Sequence, residues 1–151
     1  MLTYAGAALS LGAYTLKMSG GGTLGNTNAL VLNNASSKLL LNSITVAKVS
    51  TSAVSLGLDV DANSTVTSLT VGHLATPVSI ADGITLSGGI AVTAGSIKLD
   101  EAGTLGSTVS MSGGTILDAD DTLTISGTLT QSGDIETVSY THLTLPTTPY
   151  V

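Results

Sequence analysis

The chain has 151 residues, with four lysines, no arginine, ten acidic residues and a formal net charge of −6. Phosphate affinity comes from Lys and Arg displacing counterions, so this balance argues against a nucleic-acid partner. There is no Cys, Trp or Phe, so any interior must be filled by Val, Ile, Leu and Ala. Large single-centre cores lean on aromatic side chains that bury about 150–250 Å² each, and a chain without them suits a stack of thin β-coils. The lack of Cys is compatible with a secreted bacterial chain and equally with the cytosol.

In chain order, Met1 to Gly12 has a mildly apolar run, but no Lys or Arg precedes it and no clear cleavage site follows. Met1 therefore reads as an internal methionine of an interrupted reading frame rather than the start of a signal peptide. A helix over Leu2 to Leu11 would be carried by Ala5, Ala7, Ala8 and Leu9, and Gly6 and Gly12 weaken it. No stretch approaches the roughly 20 apolar residues of a spanning helix, so direct membrane insertion is not expected. From there on, period-two alternation dominates: Tyr14 to Met18, Ser43 to Val46, Ser55 to Val60, Ser96 to Asp100 and Asp121 to Ser126 each put apolar residues on one face and polar ones on the other. That pattern predicts half-buried strands, and the Gly, Asn, Asp and Ser between them predict short turns.

Three groups invite a chemical reading. Gly20 to Gly25 resembles a phosphate loop only in its glycines, because Gly-Lys-Ser/Thr opening a helix is missing; a turn is predicted. Asp59, Asp61 and Asn63 have the alternate spacing of a calcium loop, although Ser64 stands where a loop of that kind wants Gly and Thr70 where it wants Glu. These three are weak calcium candidates, set against a strand that ends in an Asx-rich turn. His73, between Gly72 and Leu74, is expected at a turn or on the surface. No catalytic residue and no other cofactor is assigned.

Self-similarity is the stronger signal. An apolar-Ser-Gly-Gly element occurs at Met18 to Gly21, Leu86 to Gly89 and Met111 to Gly114, shortened at Ile125 to Gly127. Gly-Thr-Leu-Gly occurs at Gly22 to Gly25 and Gly103 to Gly106, and Gly-Thr-Leu returns at Gly127 to Leu129. The spacing of the two later full elements, about 25 residues, falls in the range for coils of a β-solenoid. We therefore expect an all-β chain folded as a β-solenoid of the parallel β-helix type, with an Ig-like β-sandwich as the alternative.

The Ser-Gly-Gly turns followed by short alternating strands, as in Leu86 to Thr93 and Met111 to Asp118, resemble the passenger regions of bacterial autotransporters and filamentous-haemagglutinin-type adhesins. Phage tail-fibre repeats share the style. This resemblance implies a structural or adhesive segment of a secreted or cell-surface protein, with glycans or neighbouring surface fibres as partners. The alternative is a polysaccharide-active β-helix enzyme, since glycosidases use paired carboxylates. Asp118, Asp120 and Asp121 would be its acids, though no Arg and few His accompany them. Thr-x-Thr pairs at Thr65/Thr67, Thr122/Thr124 and Thr128/Thr130 raise ice binding, but they do not lie one coil length apart and ordinary strand propensity accounts for them.

After Thr137 the composition changes. Two of the three prolines, one of the two histidines and two of the four tyrosines fall in residues 138–151. That segment resembles translated sequencing-adapter DNA, with Val138 to Thr147 carrying the match. Residues 1–137 then read as one β-repeat fragment truncated at both ends, and 138–151 as a non-native tail.

Overall fold

The structure, a computed structural model, describes residues 2–4, 6–51, 53–99, 102–106, 108–118 and 123–132. The tail after residue 137 lies outside them. The chain starts with β1 (Leu2–Tyr4), β2 (Leu9–Ser10) and β3 (Thr15–Ser19), then β4 (Thr23–Asn26), β5 (Leu30–Val31) and β6 (Lys38–Asn42). Next come β7 (Thr45–Ser50) and β8 (Gly57–Val60), and two long bent strands, β9 (Ser64–Ile80) and β10 (Thr85–Leu99). β11 (Gly103–Leu105), β12 (Thr108–Met111), β13 (Thr115–Asp118), β14 (Leu123–Ile125) and β15 (Thr128–Gln131) follow. Among the described residues there is no helix, and the stretch read as a possible helix near the N-terminus forms β1 and β2 instead. With glycines at 6 and 12 and neighbouring strands in register, sheet pairing outweighs the modest propensity of three alanines.

Among the described residues every strand pairing is parallel. A sandwich with antiparallel pairs is thereby overturned: the chain is a parallel β-solenoid. Three faces wind around one axis. The first face runs β1, β4, β7, β9, β10, β11, β14. On the second, β2 and β5 lead to the later part of β7, the middle of β9 and β10, and on to β12 and β15. The third stacks β3, β6, β8, the ends of β9 and β10, and β13. β9 and β10 are long because each turns corners without leaving the ladder.

The interior consists of aliphatic columns. On the third face Leu16 lies opposite Leu39, then Leu58, Val78 and Ile97; beside it Met18 leads to Leu41, Val60, Ile80 and Leu99. On the second face Leu30, Val49, Leu69, Ile90 and Val109 stack likewise. From Leu30 to Val109 these side chains are at most 2 % exposed. Parallel neighbours lie about 4.8 Å apart, so each branched side chain rests on its counterpart in the next coil, and continuous dispersion contact replaces the missing aromatics. Met111 joins the buried set and, among the residues whose burial is described, no alanine does, a small departure from the expected filling. Tyr14 stays 77 % exposed.

Outward positions carry Ser, Thr and the charges. Lys17, Lys38, Lys48 and Lys98 all sit on strands, in β3, β6, β7 and β10. Coil length is uneven: Leu39 is 23 residues after its partner Leu16, whereas Leu58 is 19 after Leu39. Corners absorb the difference. One pairing, between β9 and β10, shifts register between Ser87 and Gly89 as the chain rounds a corner at Gly88.

Candidate functional site

The site begins with the backbone where the third face hands over to the first. Gly20 and Gly21 take left-handed φ of 98° and 69°, and one coil later Ser43 does the same at 54°, so the chain turns sharply at this corner. Gly21 N donates to Ser43 O at 2.7 Å, Thr45 N to Gly22 O at 3.0 Å and Thr65 N to Ile44 O at 2.9 Å. These bonds stack three corner segments. Between them lies an open groove of about 230 Å³, lined by Gly21, Gly22, Ser43, Ile44, Thr45, Asn63, Ser64 and Thr65. No charged side chain lines it.

Its polar groups divide into two kinds. Ser64 Oγ is tied down, donating to Ala62 O at 2.8 Å and accepting from Ile44 N at 3.3 Å, and Asn63 Oδ1 accepts from Thr85 N at 2.8 Å. The hydroxyls of Ser43, Thr45 and Thr65 have no hydrogen-bond partner among the described residues. Thr23, Thr45 and Thr65 stand opposite one another in successive coils, and so do Thr85, Thr104 and Thr124. The ladder runs across strands, whereas Thr65/Thr67 and Thr128/Thr130, singled out in the sequence, each lie along one strand.

The calcium candidates lie in β8 and just beyond its end. Asp59, on the outer side of β8, pairs with Lys38 at 2.6 Å; Asp61 is exposed just beyond the strand; and Asn63 spends its oxygen on Thr85 N. Among the described residues no three His, Cys, Asp or Glu side chains gather as a metal site would require. The Lys38–Asp59 pair is partly exposed on both sides, where such pairs contribute less than about 1 kcal/mol. Lys38→Met should accordingly lower stability by no more than that, read as a small shift in the urea midpoint at unchanged slope; a loss several times larger would show that the pair supports the fold.

Of the acids considered for catalysis, Asp118 is in β13 at the position opposite Leu99, and Asp120 and Asp121 lie outside the described residues. His73 is a half-buried residue within β9 rather than a surface turn, its Nδ1 3.4 Å from Thr76 Oγ1. The cause is the long strand, which carries the corner between the second and third faces without breaking. Within Gly20 to Gly25, Gly20 to Gly22 form the expected turn, and Thr23 to Gly25 already belong to β4.

Two polar arrangements escaped the sequence reading. Asn26, 6 % exposed at the end of β4, donates through Nδ2 to Asn28 O and Lys48 O, both 2.8 Å. Its Oδ1 accepts from Ala47 N and Lys48 N, both 3.1 Å. At the next corner, buried Thr76 donates to Ala53 O at 2.9 Å and accepts from Ser55 N at 3.1 Å, and Ser55 Oγ accepts from Gly57 N at 3.2 Å. Among the described residues no buried side-chain polar atom lacks a partner. An Asn just past an inward leucine was a signal that could have found the first; Thr76 carried none.

The columns, corners and parallel ladder define the class: a parallel β-solenoid protein. Compared with known proteins, the chain matches no family model, no curated protein and no solved structure.

Proposed function

We propose that this chain is a structural and adhesive segment of a secreted or cell-surface repeat protein, a non-enzymatic stiff stalk with a low-specificity binding surface. The observation that carries the reading is the register of the aliphatic columns on the second and third faces, unbroken from Leu30 to Val109 and from Leu16 to Ile97. A solenoid in which each coil is clamped to both neighbours by ladder bonds and stacked side chains bends only if many contacts break together. The outer rows supply the second half. Ser10, Val31, Ser50, Thr70, Ala91, Ser110 and Thr130 follow one another along the second face, small and uncharged, suited to many weak contacts with glycans or neighbouring fibres.

Stiffness can be measured directly, because the chain has no native Cys. Spin labels on Ser10→Cys and Thr130→Cys are six coil steps apart in that row, about 29 Å along the axis. Pulsed electron–electron double resonance on the full chain should give one narrow distance population near that separation once label length is included. A flexible linker of the same length would average about 60 Å with a broad spread, and such a distribution would end the stalk reading.

A further inference from the structure

The groove between the third and first faces is a place where the outer surface is concave rather than flat. We propose that it binds an extended neutral glycan chain, laid along the solenoid axis with one sugar unit per coil. This rests on the adhesive part of the reading above and names its ligand class and its position.

Four observations converge. First, the groove crosses three successive coils, one contributing Gly21 and Gly22, the next Ser43 to Thr45, the third Asn63 to Thr65. Hydroxyls thus recur on two neighbouring coils, at Thr45 and Thr65, at the strand spacing of about 4.8 Å, close to the advance per residue of a β-linked hexopyranose in an extended chain. Second, Ser43, Thr45 and Thr65 present hydroxyls without partners among the described residues. Each can donate and accept, which matches the hydroxyls of a sugar, and Asn63 keeps its Nδ2 donors while its oxygen holds Thr85 N.

Third, the lining holds no charge. An acidic polysaccharide or a phosphate ester would need Lys or Arg there, and a metal would need carboxylates. Fourth, at about 230 Å³ the groove is smaller than the roughly 300–1,000 Å³ of sites that enclose a small molecule. It is also open, so it suits a ribbon that passes through. Gly21 and Gly22 keep one end clear: a Cβ on Gly22 would meet only Ile44 Cδ1, at 3.6 Å. There is no aromatic platform, so affinity at one groove is set by a few hydrogen bonds and is weak.

The test uses the ¹⁵N-labelled full chain titrated with cellohexaose, with maltohexaose as a curved neutral control and hexagalacturonate as an extended anionic one. Cellohexaose should shift the amides of Ser43 to Thr45 and Asn63 to Thr65 selectively, with Kd on the order of 1 mM. Maltohexaose and hexagalacturonate should bind more weakly. The near-isosteric double variant Thr45→Val/Thr65→Val should weaken cellohexaose binding about tenfold, the loss of two hydrogen bonds, with the remaining resonances in place. Gly22→Leu, which fills the groove from a position with ordinary φ, should abolish the shifts. The proposal is overturned by scattered or absent shifts with cellohexaose, by an unchanged Kd in the double valine variant, or by hexagalacturonate binding more tightly. The spin-label distance stays narrow in each of those cases if the stalk reading holds, so the two failures are separable.

Discussion

Gly57→Ala is expected to destabilise the solenoid by about 4 kcal/mol or more, a loss large enough to unfold a domain of ordinary stability. Gly57 has a left-handed φ of 93°, and a Cβ built there would stand 2.0 Å from Pro77 O and 3.1 Å from its carbonyl carbon. Both atoms are backbone of the neighbouring coil. They cannot swing away as a side-chain tip could; relief means lifting β9 off β8, which separates Leu58 from Val78 in the adjacent column. Gly83→Ala is the control. Its φ is also left-handed, 66°, but nothing lies within 4 Å of the added carbon, so its cost is the conformational one alone, about 1–2 kcal/mol. Urea midpoints of the two variants, compared at equal slope, isolate the inter-coil contact; equal losses would show that the close approach is not what requires glycine at position 57.

Asn26→Ala should cost about 2–4 kcal/mol, since four backbone groups lose their partner at once and buried polar groups left unmade are expensive. The Ala47 and Lys48 N–H groups and the Lys48 and Asn28 carbonyls all depend on that one amide. Two of these donors belong to β7, the coil above, so the effect is on stacking as much as on the turn. Asn28→Ala, which removes an exposed bond to Gly6 O, should cost less than about 1 kcal/mol by comparison. Thermal melts would decide it. Parity between the two variants would mean that the Asn26 network is replaced by water without penalty.

The solenoid was legible because two physical constraints agreed: alternating strands need a half-buried sheet, and a core without aromatics needs thin layers. Coil length was less so. The Ser-Gly-Gly elements that suggested about 25 residues fall at three different corners. One follows β3, one lies inside β10 and one separates β12 from β13, so their spacing is a coil plus part of the next. The register instead follows a two-residue signal, Thr before an aliphatic, at Thr23-Leu24, Thr45-Val46, Thr65-Val66, Thr85-Leu86, Thr104-Leu105 and Thr124-Ile125. In a chain rich in threonine so short a motif does not stand out, and one of its steps is interrupted by the slip that sets Leu86 opposite Ser64.

The groove was not legible at all, and the reason is topological. Its three walls, Gly-Gly, Ser-Ile-Thr and Asn-Ser-Thr, share no residue pattern, and only the winding brings them together. The calcium candidates present the opposite case. Their spacing in sequence is regular, but strand alternation fixes Asp59 on the outer side of β8 beside Lys38, while Asn63 turns to bond the coil above.

The placement of the lysines has a consequence for durability. A peptidase that cuts after basic residues must draw several residues of chain into its own cleft as a free extended strand. This chain offers it four such bonds, and each follows a lysine already held in the parallel ladder, in β3, β6, β7 or β10. With no arginine in the chain, the corners between the described strands carry nothing such an enzyme recognises. Folding itself thus withholds the chain from trypsin-like digestion.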